Sequence, residues 1–200
     1  MGKVYTGASM SIDGYISGPG ESGFEHLFDW YGNGDVEVPT ADPNMTVRLT
    51  QVSADHFSAL RDMTGALVVG RKLFDFTSGW GGNHPLGVPV VVLTHSVPDG
   101  WPRADAPFTF VRDGIEAAVA QAQELAGDKV VGVNGGTIAR QCLDAGLLDE
   151  IWVDLVPVLL GGGTPFFEQL ATKPVVLDGP TSVVQGERVT HLRYQVRRPG

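Results

Sequence analysis

The residues best suited to bind a ligand follow short apolar runs and stand beside glycines. In the segment VVGRKLFDF (68–76), a β-branched run ends in Gly70, and Arg71 and Lys72 follow directly. Glycine permits a tight backbone turn, the first amides of a helix attract anions, and arginine grips phosphate oxygens with several donors. The pattern predicts an anion-binding turn, although a solvated basic helix start would have the same sequence.

A second polar group follows the apolar run VPVVVLT (88–94). Thr94, His95 and Ser96 end this run abruptly, and their hydroxyl and imidazole groups can hydrogen-bond a phosphate or a ribose. Taken alone, the group is equally typical of an ordinary polar strand exit before Pro98.

The third group is a glycine pair after the run DKVVGVNG (128–135). Gly135 and Gly136 would let the backbone approach a pyrophosphate, and the helix predicted to follow at Thr137 and Ile138 would favour its negative charge. Open α/β sheets bind ligands at the carboxyl ends of their strands. The three groups together therefore predict one site for a ligand with several phosphates.

Other side chains are candidates for contacting a second ligand. Asp13, in the turn Ser11-Ile12-Asp13-Gly14, could contact a substrate or a water that delivers a proton, although Asp-Gly is also a common turn pair. Aromatic and imidazole side chains near glycine-rich loops are candidates to line a substrate pocket, although they could equally anchor these loops: Phe28, Trp30, Trp80 and His84.

Several familiar sites are disfavoured. Gly18, Gly20 and Gly23 match the GxGxxG dinucleotide fingerprint, but Pro19 interrupts it and Gly32 and Gly34 would break the helix that should follow. The sequence contains no HExxH motif and no Cys/His ligand spacing, so we expect no metal. The loop LLGGGTPFF (159–167) lacks the Lys and Ser/Thr of a P-loop.

The elements that must position these groups alternate between strands and helices. Residues 17–52 are rich in Gly, Pro, Asp and Asn and predict a long loop with a short helix near 24–31. Helices are predicted at 53–64, with Ser53 or Asp55 as cap, at 114–126, with Asp113 as cap, and at 136–145. Strands are predicted at 3–10, 65–70, 88–94, 108–111, 128–135, 150–160, 175–179, 181–186 and 188–198. This order predicts parallel βαβ units followed by antiparallel closing strands.

Composition limits the possible partners. The 200 residues suggest one domain, and 42% hydrophobic with 18% charged residues is typical of a globular protein. A net charge of −9 argues against nucleic-acid binding. Neither a signal peptide nor a membrane-spanning run is recognisable, and Cys142 is the single cysteine, so we expect a cytoplasmic protein.

The ordered segments resemble the dihydrofolate-reductase-like superfamily, and within it the reductase domain of riboflavin biosynthesis and its stand-alone bacterial relatives. The resemblance covers nearly the whole chain except about 19–52. It rests on these segments: MSIDGYISG (10–18), LVVGRKLFD (67–75), VVLTHS (91–96) and VNGGTIARQCLDAGLLDEIWVDLVPVLLGGGTPFFE (133–168).

The resemblance implies a three-layer α/β/α fold with a mixed, mostly parallel sheet of about eight strands and an antiparallel C-terminal hairpin. It implies NADPH as cofactor, with Gly70 to Lys72 and Thr94 to Ser96 at the adenosine and 2′-phosphate end. Gly135 to Ile138 would then hold the pyrophosphate. Folate reductases carry an acid on the helix after the first strand, and Asp55 lies near that position but not cleanly in register. A frequent homodimer is also implied.

The resulting hypothesis is a single reductase domain (1–200), with a loop-rich insertion at about 19–52, that passes a hydride to a small heterocyclic substrate. A non-catalytic NADP(H)-binding module and a structural dimer whose glycine turns are only turns are the alternatives. Cofactor titration separates the last from the other two, and turnover with candidate substrates separates the first two.

Overall fold

The fold is built on one eight-stranded sheet, seen in a computed structural model that describes residues 2–43, 45–171 and 173–197. The strands of this sheet are β1 (Val4–Ser11), β5 (Thr64–Gly70), β6 (Val90–Leu93), β7 (Phe108–Val111), β8 (Val130–Val133), β9 (Glu150–Val156), β11 (Leu177–Gln185) and β12 (Thr190–Val196). Their spatial order is β11-β12-β9-β1-β8-β5-β6-β7. The six strands from β9 to β7 run parallel, and β12 and β11 return antiparallel at one edge.

The sheet is covered on both faces because β5, β6 and β8 are apolar over consecutive positions. Along β5, Ala66 and Val68 pack with the helices α4 (Ile115–Ala126) and α5 (Thr137–Asp144), whereas Leu67 and Val69 face the opposite cluster. Successive strand residues point to opposite faces, so a continuous β-branched run requires cover on both sides. This arrangement confirms the predicted α/β/α layers and mixed sheet.

The opposite face is covered by one long helix and several short elements. They are α2 (Gln51–Met63), α3 (Arg71–Phe76), α1 (Phe24–Leu27) and two 3-10 turns at Asp29–Tyr31 and Ser78–Gly82. Two small antiparallel pairs accompany them, β2 (Tyr15–Ser17) with β10 (Thr164–Pro165) and β3 (Val36–Pro39) with β4 (Thr46–Leu49). The predicted long loop at 17–52 therefore contains a hairpin that glycine and proline content concealed.

Two predicted helix caps are wrong. Helix α2 begins two residues earlier than predicted, because the Thr50 hydroxyl accepts the amide of Ser53 and caps it. Ser53 lies inside the helix with its hydroxyl turned to the core. Helix α4 is preceded by Gly114, whose φ of +93° favours glycine, so Asp113 is not its cap.

The C-terminal strands differ in detail from the prediction. A single strand β11 with an irregularity between Asp178 and Ser182 replaces the two predicted short strands. Residue 198, the predicted end of the last strand, lies outside the described residues. Within the described part of the chain, no helix combines the length and the apolar character required to cross a bilayer.

Candidate functional site

A cavity of about 1390 Å³ lies over the carboxyl ends of β5, β6 and β8 and continues across β1 and β9. All ten residues predicted to bind a cofactor line it: Gly70, Arg71, Lys72, Thr94, His95, Ser96, Gly135, Gly136, Thr137 and Ile138. The parallel register of the three strands brings their ends to one edge, which is why segments far apart in sequence meet there.

The turns after β5 and β8 are joined by one side chain. Asn134 accepts the Gly70 amide at 2.9 Å through Oδ1 and donates to the Gly135 carbonyl at 2.8 Å through Nδ2. A Cβ at Gly70 would lie 3.2 Å from Ile138 Cγ1, and one at Gly135 would lie 2.9 Å from Ile16 Cδ1. Glycine at these positions thus permits close packing of the two turns.

The glycine pair also sets the entry into α5. Gly136 has a φ of +71°, which L side chains rarely adopt, and its amide donates to the Phe166 carbonyl at 3.0 Å. The chain then turns directly into the helix at Thr137. The first amides of a helix have no partners within it, so this end of α5 offers donors and a positive dipole to the cavity.

The cations of the site are held by their neighbours. Arg71 Nε contacts both carboxylate oxygens of Asp75, and its Nη1 donates to the Ser96 carbonyl at 2.7 Å. These bonds fix the guanidinium between the ends of β5 and β6. Lys72 forms an exposed ion pair with Glu21. Arg112, directly after β7, is a third cation on the cavity wall.

Two of the predicted substrate contacts line the same cavity. Phe28 is half-exposed and its ring stacks near Phe24, with a centroid distance of 5.9 Å. Trp80 meets His84 edge to face at 4.6 Å. Burial lowers the pKa of His84 to about 4, and its Nδ1 accepts the amide of Leu86 at 3.1 Å. His84 is therefore a neutral part of the wall.

Two other predicted substrate contacts require correction. Trp30 is 1% exposed, donates its indole N–H to Ser9 Oγ at 3.0 Å, and belongs to the core rather than the cavity. Asp55 lies on the exposed face of α2, where it accepts a hydrogen bond from Gln51 at 2.8 Å. Neither side chain reaches the cavity, because the helical rotation and the indole partner point them elsewhere.

Asp13 also requires correction. Its carboxylate accepts the amides of Leu160 at 3.1 Å and Gly161 at 2.7 Å, and the hydroxyl of Ser11 at 2.6 Å. The Ser11 hydrogen bond, and then those of the two amides, lower the pKa of Asp13. The side chain is not part of the cavity wall. It joins the loop after β1 to the loop after β9, which is a structural role.

Sequence reasoning missed a polar cluster at the other end of the cavity. His191 Nδ1 lies 2.6 Å from Asp154 Oδ1, and His191 Nε2 lies 3.1 Å from Ser53 Oγ. His56 Nε2 lies 3.5 Å from the same Asp154 oxygen, and the two imidazoles stack at 3.9 Å. Of these residues, His56 and Asp154 line the cavity, whereas His191 is buried behind them.

Strand register and helical spacing assemble this cluster. Asp154 on β9 pairs directly with His191 on β12, and Ser53 and His56 lie on one face of α2 at a spacing of three residues. Burial opposes ionisation of Asp154, but hydrogen bonds and charges from His191 and His56 outweigh it and lower its pKa. Asp154 is thus a partly buried carboxylate between two imidazoles.

The expectation of no metal rested on sequence spacing, which cannot detect such a cluster. The ligand atoms of His56, Asp154 and His191 lie within 4.8 Å of one another, which is close enough for an ion. However, the 2.6 Å contact between His191 and Asp154 has the length of a charge-assisted hydrogen bond. Together with the Ser53 contact, it occupies both nitrogens of His191 with hydrogen bonds.

Other contributors were also missed. Asn134 lies within the segment 133–168, but the sequence did not predict a role for it. Its side chain links two turns that come together only in three dimensions. Arg112 follows the predicted strand FTFV as Arg71 follows its own, so the same strand-end rule would have found it.

Comparisons with known proteins agree with this architecture. The family model described as RibD C-terminal domain matches residues 3–190. A protein assigned to riboflavin biosynthesis from Shewanella sp. PV-4 has 23% identity and a TM-score of 0.71, covering 98% of this chain and 99% of that chain. No curated protein matches the sequence.

Two further solved structures share the fold. The diaminohydroxyphosphoribosylaminopyrimidine deaminase/5-amino-6-(5-phosphoribosylamino)uracil reductase of Thermotoga maritima has 13% identity and a TM-score of 0.63, covering 98% of this chain and 57% of that longer chain. Dihydrofolate reductase from Enterococcus faecalis, solved with NADP(H), has 16% identity and a TM-score of 0.55, with 98% and 97% covered. These likenesses confirm the dihydrofolate-reductase-like fold, and the family match shows that the chain belongs to the RibD C-terminal domain family.

Proposed function

We propose that this protein is an NADPH-dependent oxidoreductase that reduces a small heterocyclic substrate. The observation that carries the proposal is the convergence on one cavity of three strand ends, which bear a glycine with two cations, a Thr-His-Ser group and a glycine pair. A cavity of about 1390 Å³ exceeds the usual range for one drug-sized ligand, roughly 300–1,000 Å³. It has room for a dinucleotide and a second ring.

The residues at the strand ends fit a bound dinucleotide. Gly135 and Gly136 bring the chain into α5 without a Cβ, so that the first amides of the helix, at Thr137 and Ile138, can approach a pyrophosphate. Thr94, His95 and Ser96 supply donors for the adenosine end. When bound, NADPH supplies a hydride, and the protein supplies its position and its electrostatic surroundings.

The preference for NADPH over NADH rests on local charge. The protein is acidic overall, with a net charge of −9, yet Arg71, Lys72 and Arg112 all line the cavity, where Arg71 pairs with Asp75 and Lys72 with Glu21. A 2′-phosphate would add an anion that these side chains can bind. Because hydrogen bonds already fix the Arg71 guanidinium, it loses less conformational entropy on binding that anion.

The substrate class follows from family membership and from the cavity. The relatives named above include a 5-amino-6-(5-phosphoribosylamino)uracil reductase and a dihydrofolate reductase, and both names describe nitrogen heterocycles. Phe28 and Trp80 supply flat apolar surfaces against which such a ring can stack. We favour the phosphoribosylaminouracil over dihydrofolate because the matching family model is RibD C-terminal domain.

The experiment is a titration with NADPH and NADH, followed by NADPH consumption with 5-amino-6-(5-phosphoribosylamino)uracil or dihydrofolate. We expect tighter binding of NADPH and turnover of the uracil. Absence of cofactor binding would overturn the proposal, and binding without turnover of either compound would favour a non-catalytic module. Sedimentation of the same sample tests the proposed homodimer.

A further inference from the structure

The cluster of His56, Asp154 and His191 lies where an acceptor ring would meet the cofactor. The proposed phosphate contacts are on β6, β5 and β8, and β1 and then β9 follow in the sheet. From β6 to β1 is three strand spacings, about 14 Å at roughly 4.8 Å each. A dinucleotide extended from the phosphate contacts would direct its far end towards β1, next to the cluster.

We propose that His56, Asp154 and His191 form a proton-delivery site, in which His56 is the catalytic acid and Asp154 and His191 are positioning residues. The proposal rests on the proposed function, because it supplies the proton that must accompany hydride transfer. It stands on the contact of His56 and Asp154 with the cavity and on the hydrogen bonds that link Asp154 to His191 and Ser53.

The hydrogen bonds allow two protonation states without an unpaired group. Asp154 accepts from His191 Nδ1 in both states. His191 Nε2 accepts from the Ser53 hydroxyl when the imidazole is neutral and donates to it when the imidazole is charged. The same Asp154 oxygen lies 3.5 Å from His56 Nε2, so it can also stabilise a proton on the ring that lines the cavity.

The chemical step balances with NADPH as the reductant. A hydride adds to the carbon of a C=N bond in the substrate, forming a C–H bond, while the π electron pair moves to nitrogen. That nitrogen takes the proton from the His56 imidazolium and becomes N–H. The substrate is reduced by two electrons, the nicotinamide is oxidised, and His56 is left neutral until solvent restores its proton.

Other titratable groups that face the cluster do not supply the proton at neutral pH. Burial is the main cause that raises the pKa of Tyr5, on β1, to about 12, and burial likewise raises the pKa of Tyr31. Both phenols therefore stay protonated and weakly acidic. Arg193, on β12, places its Cζ 4.0 Å from the Trp152 ring centroid, and a guanidinium is not an acid near neutral pH. The cluster itself is therefore the proposed proton source.

The first test requires no substrate. Long-range ¹H–¹⁵N spectra of the imidazoles are recorded across pH for the wild type and for Asp154→Asn. We expect Asp154→Asn to shift the imidazole ¹⁵N signals of both His56 and His191, because both rings contact this carboxylate. Imidazole signals of either residue that Asp154→Asn leaves unchanged would overturn the proposal. Stoichiometric Zn²⁺ binding that Asp154→Asn abolishes would also overturn it, in favour of a metal site.

The second test measures NADPH oxidation with 5-amino-6-(5-phosphoribosylamino)uracil for the wild type, His56→Gln and His26→Gln. His26→Gln is the control, because it makes the same substitution at an exposed histidine outside the cavity wall. General acids contribute about 10²–10⁴-fold, so we expect kcat of His56→Gln to fall at least 100-fold, with NADPH affinity retained. The wild-type rate should fall at high pH, and that fall should be absent in His56→Gln.

The outcomes separate the two proposals. A wild type that binds no NADPH would remove the proposed function, and the imidazole spectra would then test the contacts within the cluster by themselves. A His56→Gln protein that binds NADPH and turns over at the wild-type rate would overturn proton delivery while leaving the proposed function intact. Thermal melts of both His56→Gln and Asp154→Asn confirm that the variants are folded.

Discussion

The Oδ1 atom of Asn134 accepts the backbone amide of Gly70 at 2.9 Å, which joins the turn after β8 to the turn after β5. The same side chain donates to the Gly135 carbonyl. One carboxamide therefore holds two turns that are proposed to bind different parts of the same cofactor. Their relative position depends on this residue as well as on the sheet.

Replacing Asn134 should separate stability from cofactor binding. Asn134→Ala leaves the Gly70 amide unpaired, so we expect a loss of about 1–3 kcal/mol in unfolding free energy and at least tenfold weaker NADPH binding. Asn134→Asp keeps the acceptor but brings a negative charge towards the phosphates, so it should weaken binding with a smaller loss of stability. Urea denaturation and fluorescence titration measure both. Unchanged affinity in both variants would contradict the role of this link.

The double variant Arg71→Ala/Lys72→Ala tests the 2′-phosphate contact. Removing both charges should weaken NADPH binding at least ten times more than NADH binding, because only NADPH carries the extra anion. Arg103→Ala is the matched control, since Arg103 is an exposed arginine outside the cavity wall. The ratio of the two dissociation constants is the measurement. Equal losses for the two cofactors would place the 2′-phosphate elsewhere.

The backbone at Gly136 provides a test of the pyrophosphate contact. Gly136→Val forces a β-branched residue to a φ of +71° and should abolish cofactor binding, at a cost of about 2 kcal/mol in a protein that still folds. Gly146→Val is a control with a φ of +69° at the other end of α5, where nothing lies within 4 Å of the added Cβ. It should lose similar stability and retain binding. Binding retained by Gly136→Val would remove this assignment.

Asp13 should behave as a structural residue. Asp13→Ala removes the acceptor of the Leu160 and Gly161 amides, so the melting temperature should fall while kcat per folded molecule stays close to that of the wild type. The low pKa of Asp13 means that its stabilising effect is present near neutral pH and declines in acid. A tenfold loss of kcat with an unchanged melting temperature would restore a catalytic role.

Because of His84, the unfolding free energy of the protein should fall in mild acid. Burial lowers its pKa from 6.5 to about 4, so the unfolded chain binds more protons than the folded protein between these values. The contribution of His84 to the unfolding free energy is therefore fully present above about pH 6.5. It declines as pH falls towards 4, by up to about 3 kcal/mol. His84→Asn, whose carboxamide can accept the Leu86 amide, should flatten this part of the urea-denaturation profile. The control His26→Asn should leave the profile unchanged. If His84→Asn keeps the wild-type dependence of unfolding free energy on pH, other groups cause the acid sensitivity.

The sequence by itself determined the six parallel strands, the helices that follow them and the strand-end turns. Apolar runs such as VVVL (90–93) require cover on both faces, and glycines or short polar residues after the runs mark the turns, so the cofactor candidates could be found one segment at a time. These properties are local, because a strand end and its turn lie within a few residues of each other. The β3–β4 hairpin was missed because its strands are short and its segment is rich in turn residues.

The tertiary structure alone decided which polar groups share the cavity. His191 meets Asp154 because β12 returns antiparallel beside β9 in one register, and His56 joins them because α2 turns Ser53 and His56 towards these two residues. The same rotation turns Asp55 to solvent, and the indole bond to Ser9 places Trp30 in the core. A shift of one residue in strand register would move each side chain to the opposite face, so only the assembled sheet determines these contacts.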